Sequence, residues 1–208
     1  MRIGTLGNGL MAEALAGRWI KAGHDVMIGG RSRERAGELA RRIGARAGSL
    51  QEAMEYGEVV LLAVPAEVAV AVVSGLELEP GQILIDCTNA VNHQDFTLDE
   101  PAMAEAISRA VPQARVVKAF NLAAETVWQD APHGLGVPIC GDDAAALDLV
   151  GELVRDLGCE PVHAGGLRRA RLLEATAALA IGIWVNGGDV RGMFPPVEIA
   201  FGSVPPGS

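Results

Sequence analysis

Short apolar runs alternate with segments of helical periodicity along most of this chain, and no other feature restricts its fold as much. The run Glu58–Val64 (EVVLLAV) is apolar almost throughout, which is typical of a strand buried on both faces of a parallel sheet. Residues 10–22 instead space their apolar side chains as a helix does and are followed by Gly23. Strands and helices alternating in this way predict an α/β fold with a mostly parallel sheet.

The same reasoning divides the rest of the chain into elements. The predicted strands are 1–6, 25–29, 58–64, 82–86, 115–120, 137–140 and 160–163. The predicted helices are 10–22, 33–43, 50–56, 67–76, 100–110, 123–129, 143–157 and 167–185. Ser32 and Ser49 are expected to cap two of these helices. We expect residues 1–165 to form one sheet domain and residues 166–208 a small C-terminal helical segment.

Composition and charge exclude several classes of function. Half of the 208 residues are hydrophobic and 21% are charged, as in an ordinary globular protein. The net charge of −9 disfavours nucleic acid and membrane surfaces as partners, because both attract basic proteins. No apolar stretch reaches the roughly 18 residues of a membrane span, and no signal peptide is visible. We therefore expect a cytoplasmic protein, with Cys87, Cys140 and Cys159 as buried free thiols.

A glycine motif, Gly7-x-Gly9-x-x-Ala12, lies between the first predicted strand and the first predicted helix. It is the dinucleotide-binding fingerprint in its alanine-ended form. Gly7 permits the tight turn, Gly9 lets a phosphate approach the backbone, and Ala12 lets the helix pack on the sheet. The helix N-terminus offers N–H groups and a positive dipole end to a pyrophosphate. The motif predicts a Rossmann-type, doubly wound sheet that binds a dinucleotide; the alternative is a plain tight turn.

The end of the second predicted strand indicates which dinucleotide is bound. A site for NAD usually has an acidic residue there, which binds the ribose 2′-hydroxyl. This chain has Arg31, Ser32 and Arg35 instead, and arginine suits a phosphate. We therefore expect NADP(H) rather than NAD. The alternative is a solvated helix start whose charges pair with Glu38.

Ligands of such sheets bind beyond the C-terminal ends of the strands, near the point where the strand order reverses. Pro65 is expected to form a firm wall, and Asn89 and Asn121 are able to bind a carboxamide or a second ligand. The alternative is that these residues only form turns, which asparagine and threonine favour. The residues expected at the strand ends are Ala63, Val64 and Pro65, then Cys87, Thr88 and Asn89, then Ala119, Phe120 and Asn121.

The sequence predicts no catalytic residue and no metal site. It has no HExxH or GxSxG motif, and its four histidines are scattered. Two alternatives stay open: Lys118 with Asn121 acting as acid and orienter for a carbonyl, and His93 contacting a ligand. A hydride exchange between two cofactors fits the absence of a proton-transfer group, because the redox chemistry then belongs to the cofactors.

Over nearly its whole length the chain resembles the coenzyme F420-dependent NADP oxidoreductases. The resemblance rests on IGTLGNGLMAEALA, AGHDVMIGGRSRERA, LLAVP, IDCTNAV, VVKAFN, VPICGDD and GCEPVHAGGLRRARLLEATAALAI, of which the last two are the most specific. It implies a Rossmann domain with a small C-terminal helical segment, a homodimer, and hydride transfer between NADP(H) and the deazaflavin F420. Similar domains also occur as the cytosolic NADPH module of six-transmembrane metalloreductases.

The resemblance also implies roles for individual residues. Asn8, Gly9, Leu10 and Met11 would hold the pyrophosphate, while Pro65 and the Asn89 loop would flank the nicotinamide. Residues 120–123 and the region of Asn186 would border the deazaflavin pocket, and helix 167–185 would pack against its mate in the dimer. Two alternatives for the whole protein are a reductase of a flavin, ferric chelate, carbonyl or imine, and a non-catalytic NADPH sensor.

Overall fold

Strands and helices alternate along the chain as the sequence predicts. The computed structural model describes residues 1–100, 102–130, 134–190 and 193. The strands are β1 (Arg2–Leu6), β2 (Asp25–Gly29), β3 (Arg46–Gly48), β4 (Val59–Leu62), β5 (Ile83–Asp86), β6 (Arg115–Lys118), β7 (Gly136–Gly141) and β8 (Glu160–His163). The helices are α1 (Leu10–Lys21), α2 (Arg33–Ile43), α3 (Leu50–Tyr56), α4 (Ala66–Ser74), α5 (Met103–Ala110), α6 (Glu125–Gln129), α7 (Ala144–Arg155) and α8 (Ala170–Val185).

All eight strands join one sheet in the order β3-β2-β1-β4-β5-β6-β7-β8. Neighbouring strands are parallel except β6 and β7, which pair antiparallel through Val117 with Gly141 and Lys118 with Cys140. The order β3-β2-β1-β4-β5-β6 is that of the dinucleotide-binding Rossmann fold, whose direction of winding reverses between β1 and β4. The predicted doubly wound α/β fold is therefore confirmed.

Helices cover both faces of the sheet. Helices α1, α2, α6 and α7 pack on one face, and α3, α4, α5 and α8 pack on the other. Strand β4 lies between the two layers: Val59 and Leu61 belong to the first and Val60 and Leu62 to the second. This burial on both faces explains why the strand has no polar position in its sequence.

The structure differs from the prediction in a few elements. Strand β3 was not predicted, because it has three residues of which two are exposed, so it has no apolar pattern. Strand β6 ends at Lys118 rather than at residue 120, since Phe120 has a positive φ of 63° that ends the extended conformation. Helix α5 begins at Met103 rather than at residue 100, and residues 167–169 form a 3-10 turn before α8.

Polar side chains fix several of the helix ends. The hydroxyl groups of Ser32 and Ser49 accept N–H bonds at the starts of α2 and α3, as predicted, and Asp143 does so for α7.

None of the described helices is both long and apolar enough to span a bilayer. Of the predicted helical segment 166–208, residues 191, 192 and 194–208 lie outside the described residues, as does position 101 of the predicted helix 100–110.

Candidate dinucleotide-binding site

The turn between β1 and α1 can be made only with glycine at its first position. Gly7 has a φ of +124°, and its N–H donates to the carbonyl of Gly29 at 2.9 Å. A Cβ at residue 7 would lie 2.1 Å from the carbonyl oxygen of Ala63. The turn is therefore held tightly between the ends of β2 and β4.

Gly9 faces open space instead. It is the N-cap residue of α1, with a φ of −84°, and its carbonyl accepts the N–H of Glu13 at 3.0 Å. No side chain caps this helix among the described residues, and a Cβ at residue 9 would meet no atom within 4 Å. The first N–H groups of α1, at Leu10 and Met11, thus have no side-chain acceptor and face a position that suits an anion. The space that a phosphate needs is present at the glycine turn.

A cavity of about 190 Å³ begins at this turn and runs along the ends of β1, β2 and β4. It brings together many of the residues predicted to bind the cofactor, including Arg31 and Pro65. Leu50 of α3 and Val68 and Val72 of α4 complete its wall and were not predicted as site residues. The sequence signal for α4 was available, since this apolar helix directly follows Pro65. The residues that line the cavity are Gly7, Asn8, Gly9, Gly30, Arg31, Leu50, Ala63, Val64, Pro65, Val68 and Val72.

The start of α2 presents two arginines to solvent. Ser32 caps the helix by accepting the N–H of Arg35 at 3.3 Å, so its side chain is fixed. Arg33 forms an ion pair with Glu52 at 2.9 Å, whereas Arg31 and Arg35 have no ion-pair partner among the described residues. The predicted alternative, pairing with Glu38, is absent from the described ion pairs. Two unpaired cations at a helix N-terminus form a local site for a phosphate.

Asn89 and Asn121 bridge the C-terminal ends of β5 and β6. The Asn89 amide nitrogen donates to the carbonyl of Asn121 at 2.7 Å, and the Asn121 amide nitrogen donates to Oδ1 of Asn89 at 2.9 Å. Asn121 is buried, and its Oδ1 has no donor within the part of the chain that the structure describes. Because buried polar atoms are nearly always hydrogen-bonded, this oxygen fits an N–H group of a ligand.

Ala119 and Phe120 lie between the end of β6 at Lys118 and Asn121. The Phe120 ring is buried between Trp19 and Trp128, with edge-to-face contacts at centroid distances of 5.8 and 5.5 Å. Ala119 is fully buried as well. Both side chains therefore belong to the core, and their predicted contact with a cofactor stays a prediction.

Lys118 is not placed to act on a substrate. It is fully buried, and its Nζ donates to Asp86 Oδ2 at 2.9 Å, to the carbonyl of Thr88, and lies 3.0 Å from Glu174 Oε1. Burial lowers the pKa of Lys118, but the carboxylates of Asp86 and Glu174 outweigh it and the net pKa is raised. The alternative in which Lys118 serves as an acid toward a carbonyl is therefore wrong, because the ammonium group is enclosed by protein and held in its charged form.

This buried cluster was not predicted from the sequence. Two signals were present: Asp86 ends an otherwise apolar strand, and Glu174 lies in an otherwise apolar stretch of helix. Two carboxylates buried by apolar elements require a cation, and Lys118 is the lysine in a buried strand. Asp142, two residues before α7, binds elsewhere: its Oδ1 accepts the N–H of Leu167 at 2.8 Å.

Asn186 lies at a second, wider cavity of about 430 Å³, between α8 and the loop that carries Asp95 and Phe96. Asn186 is the C-cap residue of α8, and its side-chain amide nitrogen donates to the carbonyl of Gly182 at 2.7 Å. This cavity shares no lining residue with the cavity at the glycine turn. His93 is an exposed residue of the same loop, and neither cavity includes it among its lining residues.

The cysteines provide no nucleophile at this site. All three are buried, and Cys87 and Cys140 are free thiols. Burial, reinforced by the charge of Asp86, raises the pKa of Cys87 to about 12, and its Sγ donates to the carbonyl of Leu62 at 3.3 Å. The described residues contain no group of histidine, cysteine or acidic side chains that could hold a metal ion.

Known proteins share this arrangement to different extents. The family model described as NADP oxidoreductase, coenzyme F420-dependent, matches residues 2–90. The F420-dependent NADP reductase of Methanothermobacter marburgensis is 30% identical, and the match covers 88% of this chain and 92% of that protein. The metalloreductase STEAP3 of Rattus norvegicus is 31% identical over 88% of this chain, but the chain spans 38% of that relative's length.

A solved structure supports the fold separately. The crystal structure of a candidate F420-dependent NADP reductase from Arthrobacter sp. FB24 has a TM-score of 0.79 at 24% identity, and covers 89% of this chain and 95% of that one. The match to the M. marburgensis reductase extends over most of both chains, so the resemblance inferred from the sequence is confirmed. The chain belongs to the family of coenzyme F420-dependent NADP oxidoreductases.

Proposed function

We propose that this chain is an oxidoreductase that transfers a hydride between NADP(H), bound at the glycine turn, and coenzyme F420. The observation that carries the proposal is the open N-terminus of α1 at Gly9, beside a cavity that Arg31 and Pro65 also line. The relatives support the same cofactors, because two curated members of the family are named F420-dependent NADP reductases.

The chemistry of the residues present fits NADP(H) at three separate places. The pyrophosphate would accept N–H bonds at the start of α1, and the guanidinium groups of Arg31 and Arg35 would bind the 2′-phosphate. Pro65 and Val68 would form an apolar wall, and Asn121 Oδ1 would accept a carboxamide N–H. Strand β6 lies three strands from β1, about 14 Å at the usual spacing, so these groups follow one another along a single edge.

The reaction needs little acid–base chemistry from the protein. A hydride passes directly between the nicotinamide and deazaflavin rings when both are bound. The contribution of this chain is then to hold the rings in contact and to exclude water. That requirement agrees with apolar walls and with the burial of Lys118 and Cys87 away from the cavity surface.

We assign the acceptor side of the site to residues 120–123 and to the cavity at Asn186. That cavity has apolar side chains suited to a planar ring, contributed by Phe96, Leu179 and Ile183. A metal chelate is the second candidate acceptor, because STEAP3 is a metalloreductase and is 31% identical to this chain.

We also propose that the protein is a cytoplasmic homodimer with no nucleic acid or membrane partner. Helix α8 leaves Leu172, Leu179, Trp184 and Val185 about half-exposed or more. Apolar surface of this kind on one helix is typical of an interface. The net charge of −9 disfavours a nucleic acid or membrane partner, and the buried free thiols of Cys87 and Cys140 are typical of a cytoplasmic protein.

The first experiment mixes the protein with NADPH and oxidised F420 and follows the loss of deazaflavin absorbance. FMN and ferric citrate are tested in parallel as acceptors. Of the three acceptors, we expect only F420 to be reduced rapidly by NADPH. Turnover with ferric citrate but not F420 would instead favour the second candidate, and NADPH binding without any turnover would favour a sensor.

A further inference from the structure

The buried cluster around Lys118 connects the sheet to elements distant in sequence. Asp86 ends β5, Lys118 ends β6, and Glu174 lies in α8, and all three side chains are fully buried. Glu174 also accepts the N–H groups of Met103 and Ala104 at 3.0 and 3.1 Å, at the start of α5. A single lysine therefore lies where two strands and two helices meet.

The same lysine reaches the loop that follows β5. Its Nζ donates to the carbonyl of Thr88. The other side of Thr88 is fixed by Asp86, whose Oδ1 accepts both the N–H and the hydroxyl of Thr88 at 2.8 and 2.7 Å. The backbone of residue 88 is thus held at both its N–H and its carbonyl, directly before Asn89.

Asn89 connects this fixed backbone segment to Asn121 through two hydrogen bonds. Each of the two asparagines donates to the other, so the amide of Asn121 has a single orientation. In that orientation Nδ2 is used and Oδ1 is left as a buried acceptor without a donor among the described residues. The position of this acceptor depends on the Thr88–Asn89 backbone, which depends on Lys118.

Stability alone does not account for such a cluster. Buried ion pairs are expensive to desolvate, and apolar side chains of similar volume are often at least as stabilising in their place. Two carboxylates face one ammonium group, so the formal charge of the cluster is −1 and its charges do not cancel. What the cluster supplies is a fixed geometry at the ends of β5 and β6.

We propose that Lys118 is a positioning residue: by holding the Thr88 carbonyl, it places Asn121 Oδ1 to accept the carboxamide N–H of bound NADPH. This inference rests on the proposed binding of NADP(H) at the glycine turn. Lys118 acts through Thr88 and Asn89 and does not touch the cofactor.

The test compares two ligands that differ only at the nicotinamide end. Dissociation constants are measured by titration calorimetry for NADPH and for 2′-phospho-ADP-ribose, which lacks the nicotinamide. We expect the wild-type protein to bind NADPH more tightly than the fragment. In Lys118→Met the affinity for NADPH should fall about tenfold, the loss of one or two hydrogen bonds, while the fragment changes less than about twofold.

Glu174→Gln is the matched control within the cluster. It removes the ion pair to Lys118 and weakens the cap of α5, but it leaves Lys118 bound to Asp86 and Thr88. We expect it to lower the thermal stability and to leave the ratio of the two dissociation constants unchanged. Asn89→Ala should reproduce the ratio change of Lys118→Met, because it breaks the last connection to Asn121.

The double variant K118M/E174Q replaces Lys118→Met in the test if the single variant does not fold. It keeps the formal charge of the cluster at −1, so it removes the lysine without adding net buried charge. We expect it to show the same ratio change as Lys118→Met. Equal weakening of both ligands in the lysine variants, or the same ratio change in Glu174→Gln alone, would overturn the inference. Wild-type protein that binds neither ligand would overturn the proposed function instead, and the inference with it.

Discussion

Gly7 and Gly9 are two residues apart in one motif, but each is needed for a different physical reason. At Gly7 the backbone has a left-handed φ and the space beside the Cα is filled by the carbonyl of Ala63. At Gly9 the backbone is ordinary and the space is empty. The first glycine is therefore required by the fold, while the second leaves space for the proposed ligand, so substitution separates the two roles.

We predict that Gly7→Ala lowers the free energy of unfolding by about 3 kcal/mol or more, through strain and the clash with Ala63. Gly9→Ala should cost no more than about 1 kcal/mol, since it only changes the N-cap. It should still weaken NADPH binding about tenfold or more, because its methyl group enters the space for the phosphate. Urea unfolding and calorimetric titration measure the two effects. A Gly9→Ala protein with wild-type affinity would show that no phosphate approaches there.

Arg31 and Arg35 are predicted to distinguish NADPH from NADH. Alanine at both positions removes charge-assisted hydrogen bonds to the 2′-phosphate, so NADPH affinity should fall about 100-fold while NADH affinity changes less than about threefold. Arg33→Ala is the control, because Arg33 lies in the same turn but pairs with Glu52. It should leave both affinities nearly unchanged. Equal losses for NADPH and NADH in the double variant would contradict the assignment.

The neighbourhood of residues close in sequence was predictable, whereas contacts between residues distant in sequence were not. The glycine turn and Arg31 are identified by their neighbours in sequence, and the structure places them on one cavity. The contact of Lys118 with Asp86 joins residues 32 positions apart, and its contact with Glu174 depends on how α8 packs on the sheet. The sequence shows that these charged residues lie in apolar segments, but it does not show which of them are partners.

At the scale of elements, the boundaries were predicted best where capping chemistry marks them. Helices α2 and α3 have the predicted bounds, because Ser32 and Ser49 begin them and Gly44, in a left-handed conformation, ends α2. The start of α5 was misplaced, because its first N–H groups are bound by Glu174 from another helix. Strand β3 was missed because pairing with β2 alone defines it.

The capping box of α3 yields a prediction at this scale. The Ser49 hydroxyl accepts the N–H of Glu52 at 3.1 Å, and the Glu52 carboxylate accepts the N–H of Ser49 at 2.6 Å. Ser49→Ala should lower the free energy of unfolding by about 1 kcal/mol. Glu52→Gln keeps the reciprocal bonds and loses only an exposed ion pair, so it should change stability by less than about 0.5 kcal/mol. Urea unfolding of both variants measures the difference, and equal losses would show that charge, not capping, holds this helix end.

At the scale of the whole molecule, strand order explains why distant segments meet at one site. Parallel pairing brings the C-terminal ends of β1, β2, β4, β5 and β6 to the same edge. Each of these ends is followed, within three residues, by one predicted part of the site: the glycine turn, Arg31, Pro65, Asn89 and Asn121. The alternation in the sequence predicts that edge, whereas the proposed dimer surface depends on which side chains of α8 are left exposed.

Helix α8 is the proposed surface. Leu172 and Leu179 are seven residues apart, close to two helical turns, so they lie on the same face of α8, and both are about half-exposed. We predict that Leu172→Glu weakens the dimer about 100-fold, because a two-fold interface contains the substitution twice and each copy buries a charge in place of a leucine.

Sedimentation velocity over a range of concentrations checks this prediction, with Val162→Glu as the control. Val162 lies on β8 and is 46% exposed, close to the 50% of Leu172, so the control adds the same charge to an equally exposed apolar position away from α8. The wild type and Val162→Glu should sediment as dimers where Leu172→Glu sediments as a monomer. A dimer in all three proteins would place the interface elsewhere, and a wild-type monomer would show that the exposed leucines of α8 serve a different contact.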